Sequence, residues 1–117
     1  MHENVAKEDK KMALTIQKSY NEEGQYWVLV LKGEVDLHTA GLLKETITEM
    51  IEEKNKSIRI VGDQLEYIDS TGLSVFIGAL RKLQKDNHNI VVTNVKPSIK
   101  KLLNITGLDK IIVVEDN

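Results

Sequence analysis

No cysteine occurs in the 117-residue chain, and proline, tryptophan and phenylalanine each occur only once. The missing cysteines exclude disulfide bonds, thiol catalysis and zinc sites built on thiolates, and they are typical of a reducing compartment. The chain has three histidines, which is too few for a histidine-rich metal site. From these absences we expect a small module that carries neither a metal nor a cofactor.

The chain also lacks long apolar segments and an excess of basic charge. No stretch reaches the roughly 18 apolar residues of a membrane span, and the first eleven residues contain no apolar core of a secretory signal. With 16 basic and 18 acidic residues the formal net charge is −2, which argues against nucleic acid as a partner. We therefore expect a cytoplasmic protein that binds neither a membrane nor nucleic acid.

The overall amino-acid composition is that of one ordinary globular domain. Apolar residues make up 41% of the chain and charged residues 29%, as in soluble folded proteins. Residues 1–11 are mostly polar and charged, so we expect a disordered N-terminal tail, with Met12 as an alternative start. The single domain is then predicted to span residues 12–117.

Hydrophobic periodicity predicts the element order β-β-α-β-α-β-α-β. The strands are predicted around Leu14 and Ile16 and over Tyr26–Leu31, Ser57–Val61, Asn89–Thr93 and Ile111–Val114, and the helices over Thr39–Lys54, Gly72–Lys85 and Ser98–Asn104. The first two strands form a hairpin, and the strand–helix–strand units that follow imply parallel neighbours. The fold class is therefore α/β, in which functional sites gather at strand ends and helix N-termini.

Two loops at strand-to-helix junctions carry the candidate functional residues, Gly33–Asp36 and Asp69–Leu73. The simplest interpretation of the second loop is helix capping, because Asp, Ser and Thr are preferred N-cap residues. The same position makes Ser70 an exposed hydroxyl at a helix N-terminus, where a phosphate would meet free N–H groups. The two interpretations are compatible, since Asp69 or Thr71 can cap the helix while Ser70 accepts phosphate.

Three segments occur in a fixed order along the chain. They are Gly33-Glu34-Val35-Asp36 with Ala40, then Tyr67-Ile68-Asp69-Ser70-Thr71-Gly72-Leu73, and then Leu102-Leu103-Asn104-Ile105-Thr106-Gly107-Leu108. In this combination the chain, from Met12 to Val114, resembles the STAS domain and more narrowly the bacterial anti-sigma factor antagonists. The resemblance implies a STAS fold, with a mixed sheet of four to five strands and helices packed mainly on one face.

The resemblance also implies a regulatory switch that is not an enzyme. In the family, a partner that is both anti-sigma factor and serine kinase phosphorylates the serine of the second loop, which is Ser70 here. The unphosphorylated protein binds this partner and releases the sigma factor; phosphorylation abolishes binding, and a metal-dependent phosphatase restores it. The expected partner-binding surface comprises Asp36, Asp69, Ser70, Thr71 and Gly72. The protein is expected to be a monomer.

Two departures from the family pattern lie near this loop. The family usually continues Gly-Leu-Gly, whereas Ser74 stands in the last position here and is only a remote second acceptor. Before the motif the family often has Asp-Leu-Ser, where this chain has Gly62-Asp63-Gln64-Leu65. We expect the second departure to alter a loop and to leave the acceptor unchanged.

Other interpretations stay open at this stage. A STAS scaffold or signalling module would act in a partner-switching pathway whose output is not a sigma factor. A phosphoaspartate receiver would use Asp69 as acceptor with Lys96 as its lysine, but no acidic pair follows the first strand to hold Mg²⁺. Arg81, Lys82 and Lys85 could form a basic partner-binding patch, although a solvated helix face is the simpler interpretation.

Overall fold

The computed structural model of the chain describes residues 14–116, so the predicted tail and the alternative start at Met12 lie outside the described residues. The described part contains five strands, three α-helices and one 3₁₀-helix. In chain order these are β1 (Leu14–Asn21), β2 (Tyr26–Val35), α1 (Ala40–Glu53), β3 (Ile58–Ile68), α2 (Ser70–Gln84), β4 (Ile90–Thr93), α3 (Pro97–Ile105), the 3₁₀-helix (Leu108–Lys110) and β5 (Val113–Glu115).

The five strands form one mixed sheet in the order β1-β2-β3-β4-β5. Strands β1 and β2 pair antiparallel, as expected for the predicted hairpin, and all later neighbours pair parallel. Each crossover after β2 moves one strand further in the same direction, so right-handed connections place α1, α2 and α3 on one face of the sheet. The predicted fold class, a mixed sheet with helices on one face, is confirmed.

The hydrophobic core lies between the sheet and its helices. On the inner strands, alternate side chains point toward the helices and pair across the sheet, as Leu29 does with Ile60. Each helix contributes one apolar stripe to the same core, because residues three and four apart share a helix face. The buried residues of the first two stripes are Leu43, Ile47 and Met50 from α1 and Phe76, Leu80 and Leu83 from α2.

Trp27 belongs to this core. Its side chain is 4% exposed, and its indole Nε1 donates a hydrogen bond to the carbonyl of Lys54, 2.8 Å away. Tyr20 packs edge-on against the indole ring. Burial with its one polar atom paired is the stable arrangement for tryptophan.

The third strand is the main error in the predicted elements, because it continues to Ile68 instead of ending at Val61. The segment Gly62–Leu65, predicted as a loop, lies within this strand, and its pairing with β2 shifts register near this point. Gly62 is required here by close packing, since a Cβ would lie 2.6 Å from Cγ1 of Val95. Glycine in a strand thus marks an irregularity in the pairing and not the end of the strand.

Smaller corrections concern where the later elements begin. Helix α2 starts at Ser70, two residues before the predicted Gly72, and α3 starts at Pro97. Strand β5 starts at Val113 because an unpredicted 3₁₀ turn precedes it. Gly107 has a left-handed φ of 78° just past the end of α3, a conformation common for the glycine that ends a helix.

Candidate functional site

The two segments predicted as functional loops lie at the ends of neighbouring strands, but neither is mainly a loop. Gly33–Val35 belongs to β2, which continues past its predicted end at Leu31, and Ser70–Leu73 belongs to α2. Val35 and Ile68 are register partners at the ends of the parallel strands β2 and β3. Asp36 and Asp69 therefore directly follow the ends of these two neighbouring strands. The amide of Asp69 also donates a hydrogen bond to the carbonyl of Val35 at 3.1 Å, which ties the second loop to the end of β2.

Asp69 is the N-cap of α2. Its Oδ1 accepts hydrogen bonds from the amides of Thr71, at 2.9 Å, and Gly72, at 3.1 Å. Its carbonyl accepts the first intrahelical bond, from the amide of Leu73 at 3.0 Å. Of the two cap residues that the sequence allowed, the structure thus selects Asp69, whose charge also suits the positive end of the helix dipole.

Ser70 is the first residue of α2 and is exposed. Its hydroxyl makes no hydrogen bond to any residue between 14 and 116. The hydroxyl is therefore free to be modified without loss of an internal contact. The expectation that a phosphate would meet free N–H groups is wrong for Thr71 and Gly72, because Asp69 already occupies both.

Gly72 allows α2 to start directly above the strand ends. A Cβ at this position would lie 2.5 Å from Cγ1 of Val35 and 2.7 Å from Cγ1 of Ile68. The residue is buried, so within the predicted partner surface its role is to bring Ser70 close to the sheet. Thr71 beside it is half-buried and keeps part of its surface accessible.

Asp36 organises the loop before α1. Its Oδ1 accepts hydrogen bonds from the amides of His38, at 2.8 Å, and Thr39, at 3.1 Å. The amide of Asp36 in turn donates to Oγ1 of Thr39 at 2.9 Å, and that hydroxyl donates to the carbonyl of Glu34 at 2.8 Å. Asp36 was predicted for partner binding alone; the spacing Asp-x-x-Thr was the signal for this local structural role.

Exposed apolar side chains surround the two loops, and they were not among the predicted site residues. Leu37 is 72% exposed directly after Asp36. On the other side of Ser70, a depression of about 350 Å³ is lined by Ile77 and Ile111 among others, and Ile111 is 46% exposed. Leu37, an apolar residue between Asp36 and the predicted start of α1, was the available signal, whereas Ile77 and Ile111 lie within predicted elements. Their clustering around Ser70 is typical of a protein-binding surface.

Two residues from the alternative interpretations have other partners. Oγ of Ser74 donates a hydrogen bond to the carbonyl of Ser70 at 2.9 Å, so its hydroxyl is engaged within the helix. The ammonium group of Lys96 lies 3.6 Å from Glu66 and donates to the carbonyl of Asp63. The structure thus pairs the predicted receiver lysine with Glu66 and not with Asp69, whose carboxylate is used as a cap.

Within residues 14–116, no group of three or more His, Cys, Asp or Glu side chains is arranged to hold a metal ion. The helices of this described part are too short or too polar to cross a membrane.

The role of Asp69 as a cap leads to a stability prediction. Asp69→Ala is expected to lower the free energy of unfolding by about 1 kcal/mol, because two helix-start amides lose their acceptor. Asp69→Asn should retain most of that stability, since the amide oxygen can accept the same bonds. Urea unfolding followed by tryptophan fluorescence measures both; equal losses for the two variants would show that charge, and not capping geometry, dominates.

Comparison with known proteins identifies the family. The family model of the STAS domain matches residues 17–117. The chain belongs to the STAS domain family. A curated anti-sigma-B factor antagonist from Staphylococcus epidermidis is 30% identical over 91 residues, which cover 78% of this chain and 84% of that protein. That relative is named for its effect on a regulatory factor and not for a catalysed reaction.

Solved structures of STAS proteins have the same fold. An anti-sigma factor antagonist from Mycobacterium paratuberculosis superposes with a TM-score of 0.77 at 24% identity, covering 87% of this chain and 85% of that one. The Bacillus cell fate determinant SpoIIAA, solved in its phosphorylated form, gives 0.68 at 22% identity, covering 86% and 90%. At these identities the structures confirm the fold that was predicted from the sequence motifs.

Proposed function

We propose that this STAS protein is an anti-sigma factor antagonist whose binding is switched off by phosphorylation of Ser70. The unphosphorylated protein binds a partner that is both anti-sigma factor and serine kinase, and this binding releases the sigma factor. The relative from Staphylococcus epidermidis, named an anti-sigma-B factor antagonist, supports the class of partner. SpoIIAA, which has been solved in a phosphorylated form, supports the type of switch.

The observation that carries this proposal is the free hydroxyl of Ser70 beside the Asp69 cap. Because Asp69 alone holds the start of α2, a phosphate on Ser70 can be added and removed without unfolding the helix. A serine that served as the cap itself would lose that bond on modification. Asp69 therefore stabilises the helix start, and Ser70, a different residue, is the one that is modified.

A phosphate at this position changes the surface more than the fold. It adds about −1.5 to −2 charge at neutral pH, which roughly doubles the formal net charge of −2. Because Ser70 is exposed, the added charge would lie on the protein surface. A partner that packs on the apolar surface around Ser70 would have to desolvate this charge, which is costly unless a cation compensates it.

The kinase and the phosphatase supply the chemistry of the cycle in this proposal. The partner phosphorylates Ser70, and a metal-dependent phosphatase removes the phosphate. Asp36, Asp69, Ser70 and Thr71 contribute to the surface that the kinase contacts, and buried Gly72 positions Ser70 within it. The STAS protein acts as a cytoplasmic monomer and contributes no catalytic residue.

Mapping of the modified residue tests this proposal. Incubation with ATP and the anti-sigma factor kinase of the same organism should place one acid-stable phosphate on Ser70. Ser70→Ala should remain unmodified, whereas Ser74→Ala should be modified to the same extent as the wild type, because the Ser74 hydroxyl is bonded within the helix. Stoichiometric phosphate on Ser70→Ala, carried by Thr71 or Ser74, would move the switch to another residue.

A further inference from the structure

A long groove runs along the surface where the two helices that flank the candidate site pack against each other. It has a volume of about 610 Å³ and lies between one face of α1 and one face of α2. Its lining runs from Ala40 to Ile51 on α1 and from Thr71 to Lys82 on α2. Eleven residue steps correspond to about 16 Å along a helix. The two helices follow parallel strands on the same face of the sheet, so the groove has parallel helical walls for about three turns.

Two glycines keep this groove open. Gly41 on α1 and Gly78 on α2 are both exposed, and a Cβ on either would have no neighbouring atom within 4 Å. Alanine at a mid-helix position such as Gly78 would favour the helix by roughly 0.5–1 kcal/mol. The chain thus forgoes helix stability at a position where the folded protein has room for a side chain. The glycine at position 78 thus leaves space in the groove for a ligand.

The groove is apolar at its base and basic at its edge. Ile47 and Val75 contribute apolar surface, whereas Lys44 and Lys82 contribute the charges. None of the residues that line it in the described part of the chain is acidic, although the whole chain has 18 acidic residues. Neither lysine forms an ion pair within residues 14–116. An occupant with apolar and acidic side chains would complement both features.

One end of the groove coincides with the candidate site. Thr71 and Ser74, on the first turns of α2, line the groove, and exposed Leu37 lies at its mouth. A partner seated over Ser70 can therefore extend into the groove without leaving the surface.

We propose that the groove between α1 and α2 receives an acidic amphipathic helix, about three turns long, from the anti-sigma factor kinase. This inference rests on the proposed function and adds where the partner docks. Two parallel helical walls of equal length match a third helix better than a compact small molecule, since an amphipathic helix lays its apolar face into a hydrophobic groove. Carboxylates on the docked helix would pair with Lys44 and Lys82.

The experiment measures binding of the same organism's anti-sigma factor kinase to groove variants, together with the kinetics of Ser70 phosphorylation. Gly78→Leu fills the groove and should raise Kd about 30-fold, as expected for loss of a central contact. Gln84→Leu places the same side chain at an exposed position of α2 outside the groove and is the matched control, with a Kd like that of the wild type. The double variant Lys44→Glu/Lys82→Glu should raise Kd about 10-fold. Its control is Arg81→Glu, which changes an exposed charge outside the groove on α2.

A docking role predicts that Gly78→Leu raises KM for Ser70 phosphorylation with kcat nearly unchanged. Groove variants that bind like the wild type, while Ser70→Asp binds poorly, would refute the groove assignment and leave the switch intact. A wild-type chain that the kinase neither binds nor phosphorylates would contradict the proposed function itself. A dimer of the free wild-type chain that Gly78→Leu abolishes would assign the groove to a second copy and overturn the inference.

Discussion

Ser70→Asp is expected to weaken binding of the anti-sigma factor kinase by about 100-fold relative to the wild type. An unpaired charge that is buried in an interface costs several kcal/mol, and 2.7 kcal/mol corresponds to about 100-fold in Kd. The Ser70 hydroxyl lies among exposed apolar side chains such as Ile111, so a docked partner would remove water from it. Isothermal titration calorimetry without ATP measures this loss.

Two control variants separate charge from size at this position. Ser70→Asn matches the volume of aspartate without its charge and should bind within a few-fold of the wild type. Ser70→Ala should stay folded and bind the kinase, but ATP should not release it. If Ser70→Asn bound as weakly as Ser70→Asp, bulk and not charge would control the switch.

Gly72→Ala is expected to lower the free energy of unfolding by about 1–2 kcal/mol. The added Cβ would overlap Val35 and Ile68, at 2.5 and 2.7 Å, and overpacking of this kind costs roughly 1–3 kcal/mol. The gain in helix propensity offsets up to about 1 kcal/mol of that cost. The helix start cannot move away easily, because the Asp69 amide is bonded to the Val35 carbonyl. Urea denaturation measures the change.

The same substitution at Gly78 provides the matched control, with the opposite sign. Gly78→Ala should raise the free energy of unfolding by about 0.5–1 kcal/mol, since its Cβ meets no other atom. At roughly 4 °C per kcal/mol, the melting temperatures of the two variants should lie on opposite sides of the wild type. A stabilised Gly72→Ala would show that the strand ends yield readily and that close packing does not position Ser70.

The sequence was sufficient to predict the sheet and its helices because the apolar periodicity changes clearly between elements. The run from Tyr26 to Leu31 and the stripe of α2 are unambiguous patterns, and both elements lie in the core. The loop motif also predicted Ser70 at a helix N-terminus, with Asp69 or Thr71 as the cap. These features are local in sequence, and capping depends on residues only two or three positions apart.

The structural features that could not be predicted from the sequence depend on contacts between segments that are distant along the chain. Strand β3 continues past Gly62 because its later residues pair with β2, and glycine and aspartate in that stretch conceal the strand from a local pattern. The apolar surface around Ser70 arises because the turn near Gly107 lies beside the start of α2. The groove between α1 and α2 likewise requires the relative position of two helices.

Release of the sigma factor from its complex with the kinase tests the proposed switch on the unsubstituted protein. Unphosphorylated protein added to that complex should free the sigma factor, observed by size-exclusion chromatography or by a fluorescent label on the sigma factor. Protein that carries phosphate on Ser70 should leave the complex intact, and treatment with a serine phosphatase should restore release. Equal release by the phosphorylated and unphosphorylated forms, or no release by either, would contradict the account.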